Sequence, residues 1–175
     1  SIVHLPLVVP PVVIGYLLLL SLGRRGVVGG WLYDTFGITL IFTWKGAAIA
    51  SAIMAFPLMV RAIRLSLEAV DQRLETAART LGATPLKVLF SITLPLTAPG
   101  ILAGVVLAFA RSLGEFGATI TFVSNIPGET RTLPLAIFSQ VQTPGGEDAA
   151  IRLVVISVAI ALAALIGSEF LARRI

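Results

Sequence analysis

The chain has 175 residues, of which 57% are hydrophobic and 13% charged, with a formal net charge of +4. A soluble domain carries about 45–50% apolar and about 25% charged residues, so this composition excludes a water-facing globule and points to a membrane protein. Cysteine is absent and His4 is the single histidine, which excludes disulfide scaffolds, thiol catalysis and the usual zinc and copper sites.

About 100 apolar residues are enough for four crossings of a hydrocarbon layer about 30 Å thick, at roughly 20 residues each. The apolar runs lack period-2 alternation, so the spanning units are helices, which satisfy their own backbone hydrogen bonds, and not barrel strands. The chain opens on Ser1 and enters an apolar segment with no basic stretch before it. The expectation is a piece that lacks its N-terminal segment, not a chain with a signal peptide. His4, at the head of this run, reads as an interfacial side chain and not as a metal ligand.

The first predicted span covers residues 2–22, about 31 Å of helix, with kinks or local unwinding at Pro6, Pro10 and Pro11. Arg24 and Arg25 close it, and a glycine-rich stretch with Trp31, Tyr33, Phe36 and Trp44 supplies aromatics suited to a membrane interface. A second span is predicted over residues 40–60. Residues 61–95 then hold Arg61, Arg64, Glu68, Asp71, Arg73, Glu75, Arg79 and Lys87, which makes a solvated segment. Within it Leu67, Val70, Leu74, Ala77, Ala78 and Leu81 recur at three- and four-residue spacing, the pattern of an amphipathic helix that Gly82 can end in the left-handed conformation. Thr84 followed by Pro85 is an N-cap and a first-turn proline, so a second helix starts at once.

The third span is predicted at residues 96–113, with Pro99 loosening its start and Gly100 and Gly104 spaced for close approach of another helix. Residues 114–149, which include the short apolar run 116–123, are too broken for a full span and too apolar for a simple loop, and the expectation is a short or re-entrant helix and an exposed connection. A last span covers residues 151–171, followed by Arg173 and Arg174. Four spans put the 61–95 segment and the C-terminal tail on one side with seven basic residues, against five on the other (Arg24, Arg25, Lys45, Arg131, Arg152), so the amphipathic segment is assigned to the cytoplasm.

No phosphate-binding loop is present: the nearest string, from Gly82 to Lys87, lacks the second glycine and the hydroxyl after the lysine. A G-x-S-x-G elbow is also missing, and a single histidine makes a hydrolase triad untenable, so no catalytic residue and no cofactor is expected. Arg111 and Glu115 stand four apart at the end of the third span, where charge is expensive. Two readings remain open: an ion pair along one helix face, or an arginine that biases a pathway for a dianion. Gly114, Gly117 and Thr119 beside them are candidates for a close backbone approach to a translocation axis. Arg61 and Arg64 follow the positive-inside pattern.

The most specific signal is Glu75-Thr76-Ala77-Ala78-Arg79-Thr80-Leu81-Gly82, with Ile92 ten residues after the glycine and Leu94-Pro95 beyond it. This resembles the EAA loop of ABC importer permeases, the element that seats in a cleft of a cytoplasmic ATPase, with one departure: the usual glutamate position holds Thr76, and Glu75 stands one residue earlier. On the residues alone, small Ala77 and Ala78 permit close docking and Gly82 turns a corner; an amphipathic helix lying on the bilayer is the alternative. The strings from Leu5 to Tyr16, Phe56 to Arg64, Phe109 to Thr119 and Ser124 to Pro134 are similar to the molybdate permease family, whose sulfate relatives share variants of the last two.

The resemblance covers nearly the whole chain, with the family's first span falling before Ser1. It implies an all-α transmembrane bundle of the ABC importer permease (MetI-like) type in the inner membrane, one domain over residues 1–175 with a cytoplasmic coupling loop at 61–95. It implies import of molybdate or tungstate by alternating access, with sulfate or thiosulfate as the nearest alternative cargo. The implied partners are a second copy of the permease, two cytoplasmic ABC ATPase subunits and a periplasmic oxyanion-binding protein, in a lipid bilayer and without nucleic acid. ATPase coupling falls to Glu75, Ala77, Ala78, Gly82, Ile92, Leu94 and Pro95, and the candidate gate to Arg111, Glu115, Gly117 and Thr119. The rivals are a non-transporting membrane anchor and an ion-driven transporter; the latter needs intramembrane carboxylates, and the spans offer only Glu115 and terminal Glu169.

Overall fold

The computed structural model describes residues 2–172, so Arg173 and Arg174 lie outside the described residues. After a 3-10 turn at Ile2–His4, the helices are α1 (Leu5–Val8), α2 (Pro11–Leu22), α3 (Val27–Phe36), α4 (Trp44–Glu68), α5 (Gln72–Thr80) and α6 (Pro85–Val88). A π-helical segment, Leu89–Thr93, leads into α7 (Leu94–Leu113), and α8 (Gly117–Val123), α9 (Leu133–Val141) and α10 (Glu147–Ala172) follow. The described residues contain no strand, as the apolar runs require.

Three segments are long and apolar enough to cross a membrane: Trp44–Glu68, Pro85–Leu113 and Glu147–Gly167, and the α2 and α3 pair, bent by 44°, would make a fourth. The boundaries differ from the sequence reading in instructive ways. Residues 2–22 are not one helix: Val9 and Pro10 are extended, with ψ of 138° and 136°, because Pro10 and Pro11 disfavour helical backbone before them. The aromatic stretch expected to be an interfacial connection is helical as α3, where Arg24 lies 4.1 Å over the Tyr33 ring.

The second span runs eight residues past residue 60, so Arg61 and Arg64 belong to α4 and not to a solvated loop. Leu67 likewise sits on α4, and the amphipathic helix begins only at Gln72, after Asp71 caps it by accepting from the Arg73 N–H at 2.9 Å. The third span starts as early as Pro85.

The core lies where α2, α4 and α8 meet: Ile14, Leu18, Ala47, Ala50, Met54, Ala118, Phe122 and Val123 form one buried cluster. The α8 helix, placed by the sequence as a short or re-entrant element, is the most deeply buried element, with Ala118, Phe122 and Val123 fully enclosed. Close approach makes this possible. A β-carbon at Gly15 would lie 2.6 Å from the Ala118 carbonyl oxygen, so α2 and α8 touch backbone to backbone.

The larger helix pair, α4 against α7, uses the same device at the spacing expected from Gly100 and Gly104. Gly100 faces Ser66, whose Oγ donates to the Thr97 carbonyl at 3.3 Å, and Gly104 faces Ala62 and the Met59 carbonyl. Advancing four residues on α7 retreats about four on α4, so the two helices are antiparallel neighbours. By contrast α10 leaves most of its surface open, packing on α7 and α9 along one side.

A β-carbon at Gly100 would overlap Ser66 Cβ, whereas one at Gly104 would stand 3.2 Å from its nearest neighbours. Gly100→Val is therefore expected to destabilise the chain by about 2 kcal/mol through overpacking, and Gly104→Ala by clearly less. Thermal unfolding of the detergent-solubilised protein checks the order; equal melting temperatures for Gly100→Val and the parent chain would contradict the contact.

Candidate functional site

Two places carry the polar chemistry of this bundle. The first is the corner between α5 and α6. The α5 helix ends in a Schellman arrangement: the Gly82 N–H donates to the Arg79 carbonyl and the Ala83 N–H to the Ala78 carbonyl, both at 3.0 Å. Gly82 takes φ of +85°, the left-handed conformation that the sequence demands of it. Thr84 Oγ1 then accepts from the Lys87 N–H at 3.4 Å and Pro85 fills the first turn, so a new helix starts after a corner formed by residues 81–84.

This corner gathers Ala78, Gly82 and Ile92 into one open groove of about 250 Å³, lined also by Leu81, Ala83, Lys87, Val88 and Ser91. Ala77 is exposed on α5, and Leu81 and Leu86 are 88% and 68% exposed, a large apolar area left uncovered at the corner. Leu94 and Pro95 are exposed as well, but they sit beyond the groove at the start of α7. Pro95 has no N–H to give and its ring crowds the preceding turn, which accounts for the π-helical widening just before it, where the Leu94 N–H reaches back to the Leu89 carbonyl.

Glu75 does not point outward with its exposed neighbours. Its Oε1 accepts from Thr93 Oγ1 at 2.7 Å and its Oε2 lies 3.7 Å from Arg79 Nη2. Thr93, almost fully buried, is a residue that sequence reasoning missed; a threonine directly before the Leu-Pro pair has no signature of its own.

The second place is the break between α7 and α8, which brings Arg111, Glu115, Gly117 and Thr119 together. Arg111 Nη1 stands 2.8 Å from Glu115 Oε2, and Glu115 Oε1 accepts from the Ala118 N–H at 2.8 Å. Glu115 is only 1% exposed while the arginine side chain is 28% exposed. The guanidinium approaches Oε2 without aiming an N–H along it, so that oxygen has a charge partner but no aligned hydrogen bond. Gly117 packs on Pro11 of α2, and Thr119 Oγ1 turns back to donate to the Phe116 carbonyl at 2.9 Å. Arg111 stands in the last turn of α7, near an end of the third span as the sequence has it, and the antiparallel register sets it beside about Met54 of α4.

Beyond α8, Ser124 adopts φ of +65°, and Asn125 ties the following loop to α9: its Nδ2 donates to Ser139 Oγ at 2.7 Å and its Oδ1 accepts from Arg131 Nε at 3.0 Å. The sequence marked this string only through a family likeness; the geometry shows what its polar side chains hold.

A helical bundle of membrane-spanning length, broken between α7 and α8 and with a grooved corner between α5 and α6, defines the class. Residues 1–175 match the family described as the binding-protein-dependent transport system inner membrane component, and the chain belongs to that family. It is thus a multi-pass permease subunit of a transport system in the inner membrane, a family whose transport depends on a binding protein. The chain is 68% identical over 173 residues to the molybdenum transport system permease protein ModB of Escherichia coli (strain K12), covering 99% of this chain and 76% of that protein. It is 60% identical over 174 residues to the protein of the same name from Haemophilus influenzae, with the same coverage. Identity to the Mycobacterium tuberculosis protein of that name is 43% over 163 residues, 93% of this chain and 61% of that one.

If Arg111 and Glu115 serve each other, removing one charge strands its partner in low dielectric. Arg111→Gln is expected to cost on the order of 3 kcal/mol, and the double variant Arg111→Gln/Glu115→Gln to recover most of that, because no charge is left uncompensated and the Ala118 N–H keeps an amide acceptor. Thermal melts of the parent, of Arg111→Gln, of Glu115→Gln and of the double variant check this; additive losses would reject the pair.

Proposed function

We propose that this chain forms the membrane pathway of an ATP-driven importer of molybdate or tungstate, working as a homodimer with two cytoplasmic ABC ATPase subunits and a periplasmic oxyanion-binding protein. The observation that carries the cargo is the 68% identity, over nearly the whole chain, to a molybdenum transport permease. ATP hydrolysis falls to the partner subunits.

Docking is assigned to the α5–α6 corner, with residues 61–95 on the cytoplasmic side. The reading is supported by exposed Leu81 and Leu86, by the small side chains of Ala77 and Ala78, and by a groove that Ala78, Gly82 and Ile92 share. Burying two leucines against a partner is worth about 2 kcal/mol each, while Arg79 and Lys87 at the rim orient the contact. Glu75, Leu94 and Pro95 act behind that surface, at the junction of the corner with α7.

For the pathway, Glu115 is assigned to positioning and Arg111 to neutralising it. A carboxylate that accepts from the first turn of α8 and pairs with α7 holds the broken helix in place, while Gly117 and Thr119 keep its start narrow and internally satisfied. On this assignment a dianion passes near a neutral pair and not a bare cation, which favours release over tight binding.

The decisive experiment reconstitutes the permease with its ATPase and binding protein in proteoliposomes. Molybdate is expected to stimulate ATP hydrolysis and to accumulate inside, with sulfate producing little of either; sulfate uptake exceeding molybdate uptake would replace the cargo. Gly82→Val, forced into a left-handed turn that a β-branched residue resists, is expected to reduce ATPase association or coupling at least tenfold with the spans still folded. Since the chain has no native cysteine, Thr84→Cys and Glu129→Cys report sidedness directly. An impermeant thiol reagent added outside should label Glu129→Cys and spare Thr84→Cys, and equal labelling would reject the topology.

A further inference from the structure

We infer that Glu75 is an internal positioning residue: through Thr93 it clasps the α5 helix to the π-helical foot of α7, so that the two move as one body. The inference rests on the docking role assigned above to the α5–α6 corner and says how displacement of that corner reaches the spans.

The α5 helix has little else to hold it. It has no buried residue, is bounded on one side by the 69–71 connection and on the other by the Gly82 turn, and packs chiefly on α6 and the Leu89–Thr93 segment. Without a specific tie, such a helix can pivot on its two flanking turns. The tie present is a carboxylate accepting from a hydroxyl at 2.7 Å, within the range for charge-assisted hydrogen bonds and roughly twice as strong as a neutral one. Its donor is fixed: Thr93 is 9% exposed, in a π-helical turn that Pro95 imposes.

From Thr93 the polar links continue inward. Thr97 Oγ1 donates to the Thr93 carbonyl at 2.9 Å, and the Thr97 carbonyl accepts from Ser66 Oγ of α4 at 3.3 Å, beside the place where Gly100 lets the helices touch. The clasp therefore ends on a close contact between α4 and α7. A force applied at the corner is delivered to the antiparallel pair and is not lost in bending the connections.

The clasp also explains the one-residue offset of Glu75 from the usual glutamate position: a side chain there faces the chain's own α7 and leaves Ala77 and the corner leucines outward.

The test uses the reconstituted complex with its ATPase and binding protein. Thr93→Val and Glu75→Ala are each expected to lower molybdate uptake per ATP hydrolysed about tenfold, the low end for loss of a hydrogen bond to a charged group. Co-purification of the ATPase should stay unchanged. Thr93→Ser and Glu75→Gln, which keep donor and acceptor, should remain within about twofold of the parent, and the double variant Thr93→Val/Glu75→Ala should be no worse than either single one.

An independent readout is the distance distribution between spin labels at Thr80→Cys on α5 and Val105→Cys on α7, expected to broaden in Thr93→Val and not in Thr93→Ser. An unchanged distribution in Thr93→Val overturns the clasp. Normal coupling in Thr93→Val, with Glu75→Ala and Gly82→Val uncoupled, overturns its role and assigns Glu75 to the ATPase surface. Normal transport by Gly82→Val instead discards the docking reading, a failure that the label distances tell apart from failure of the clasp.

Discussion

A seven-residue helix in the middle of an apolar bundle cannot satisfy its own ends, and the packing of this protein follows from how that is solved for α8. Its first N–H groups have no partner within the helix, and lipid or apolar side chains offer none. Glu115 supplies the acceptor for Ala118, Arg111 supplies the charge that lets Glu115 be buried, and Thr119 and Thr121 turn their hydroxyls back onto carbonyls of the turn before. At the other end the Ser124 N–H returns to the Ile120 carbonyl, and Asn125 anchors the exit to α9. With its polar groups accounted for, α8 can be enclosed, and α2 and α4 close around it through Gly15, Ala47 and Ala50.

The same economy of small residues governs the wider assembly. Between helices surrounded by lipid there is no hydrophobic gain from apolar contact, so association depends on van der Waals fit and a few interhelical hydrogen bonds. The α4–α7 pair has both, in Gly100 and Gly104 against Ser66 and Ala62 and in the Ser66–Thr97 bond. The α10 helix has neither device over most of its length and stays peripheral. The α2, α4, α7 and α8 helices thus form a closely packed centre, with α10 attached along one side.

Polar side chains in this bundle work through neighbours on their own chain. Glu115 serves α8, Thr97 bridges the two halves of a relay, and Glu75 meets Thr93 instead of facing outward. The outward face of the corner is left to leucines, alanines and a glycine turn.

Much of this was legible in the sequence. Composition alone determined an all-helical membrane chain, Gly82 with Thr84-Pro85 determined a sharp corner between two helices, and the Gly100 and Gly104 spacing marked a close helix contact, because backbone conformation and the room left by a missing side chain are local properties. The i, i+4 spacing put Arg111 and Glu115 on one face without saying which role they play. What the sequence misplaced were boundaries: apolar periodicity continues through a span end and hides where α4 stops, while a proline pair hides how completely it breaks residues 2–22. Only the tertiary structure decided that the most enclosed element is the short α8, that Glu75 turns inward to Thr93, and that Ser66 reaches Thr97. Each depends on residues 18 to more than 30 apart being brought within hydrogen-bond reach or less, as Thr93 with Glu75 and Ser66 with Thr97, and distance along the chain carries no record of that.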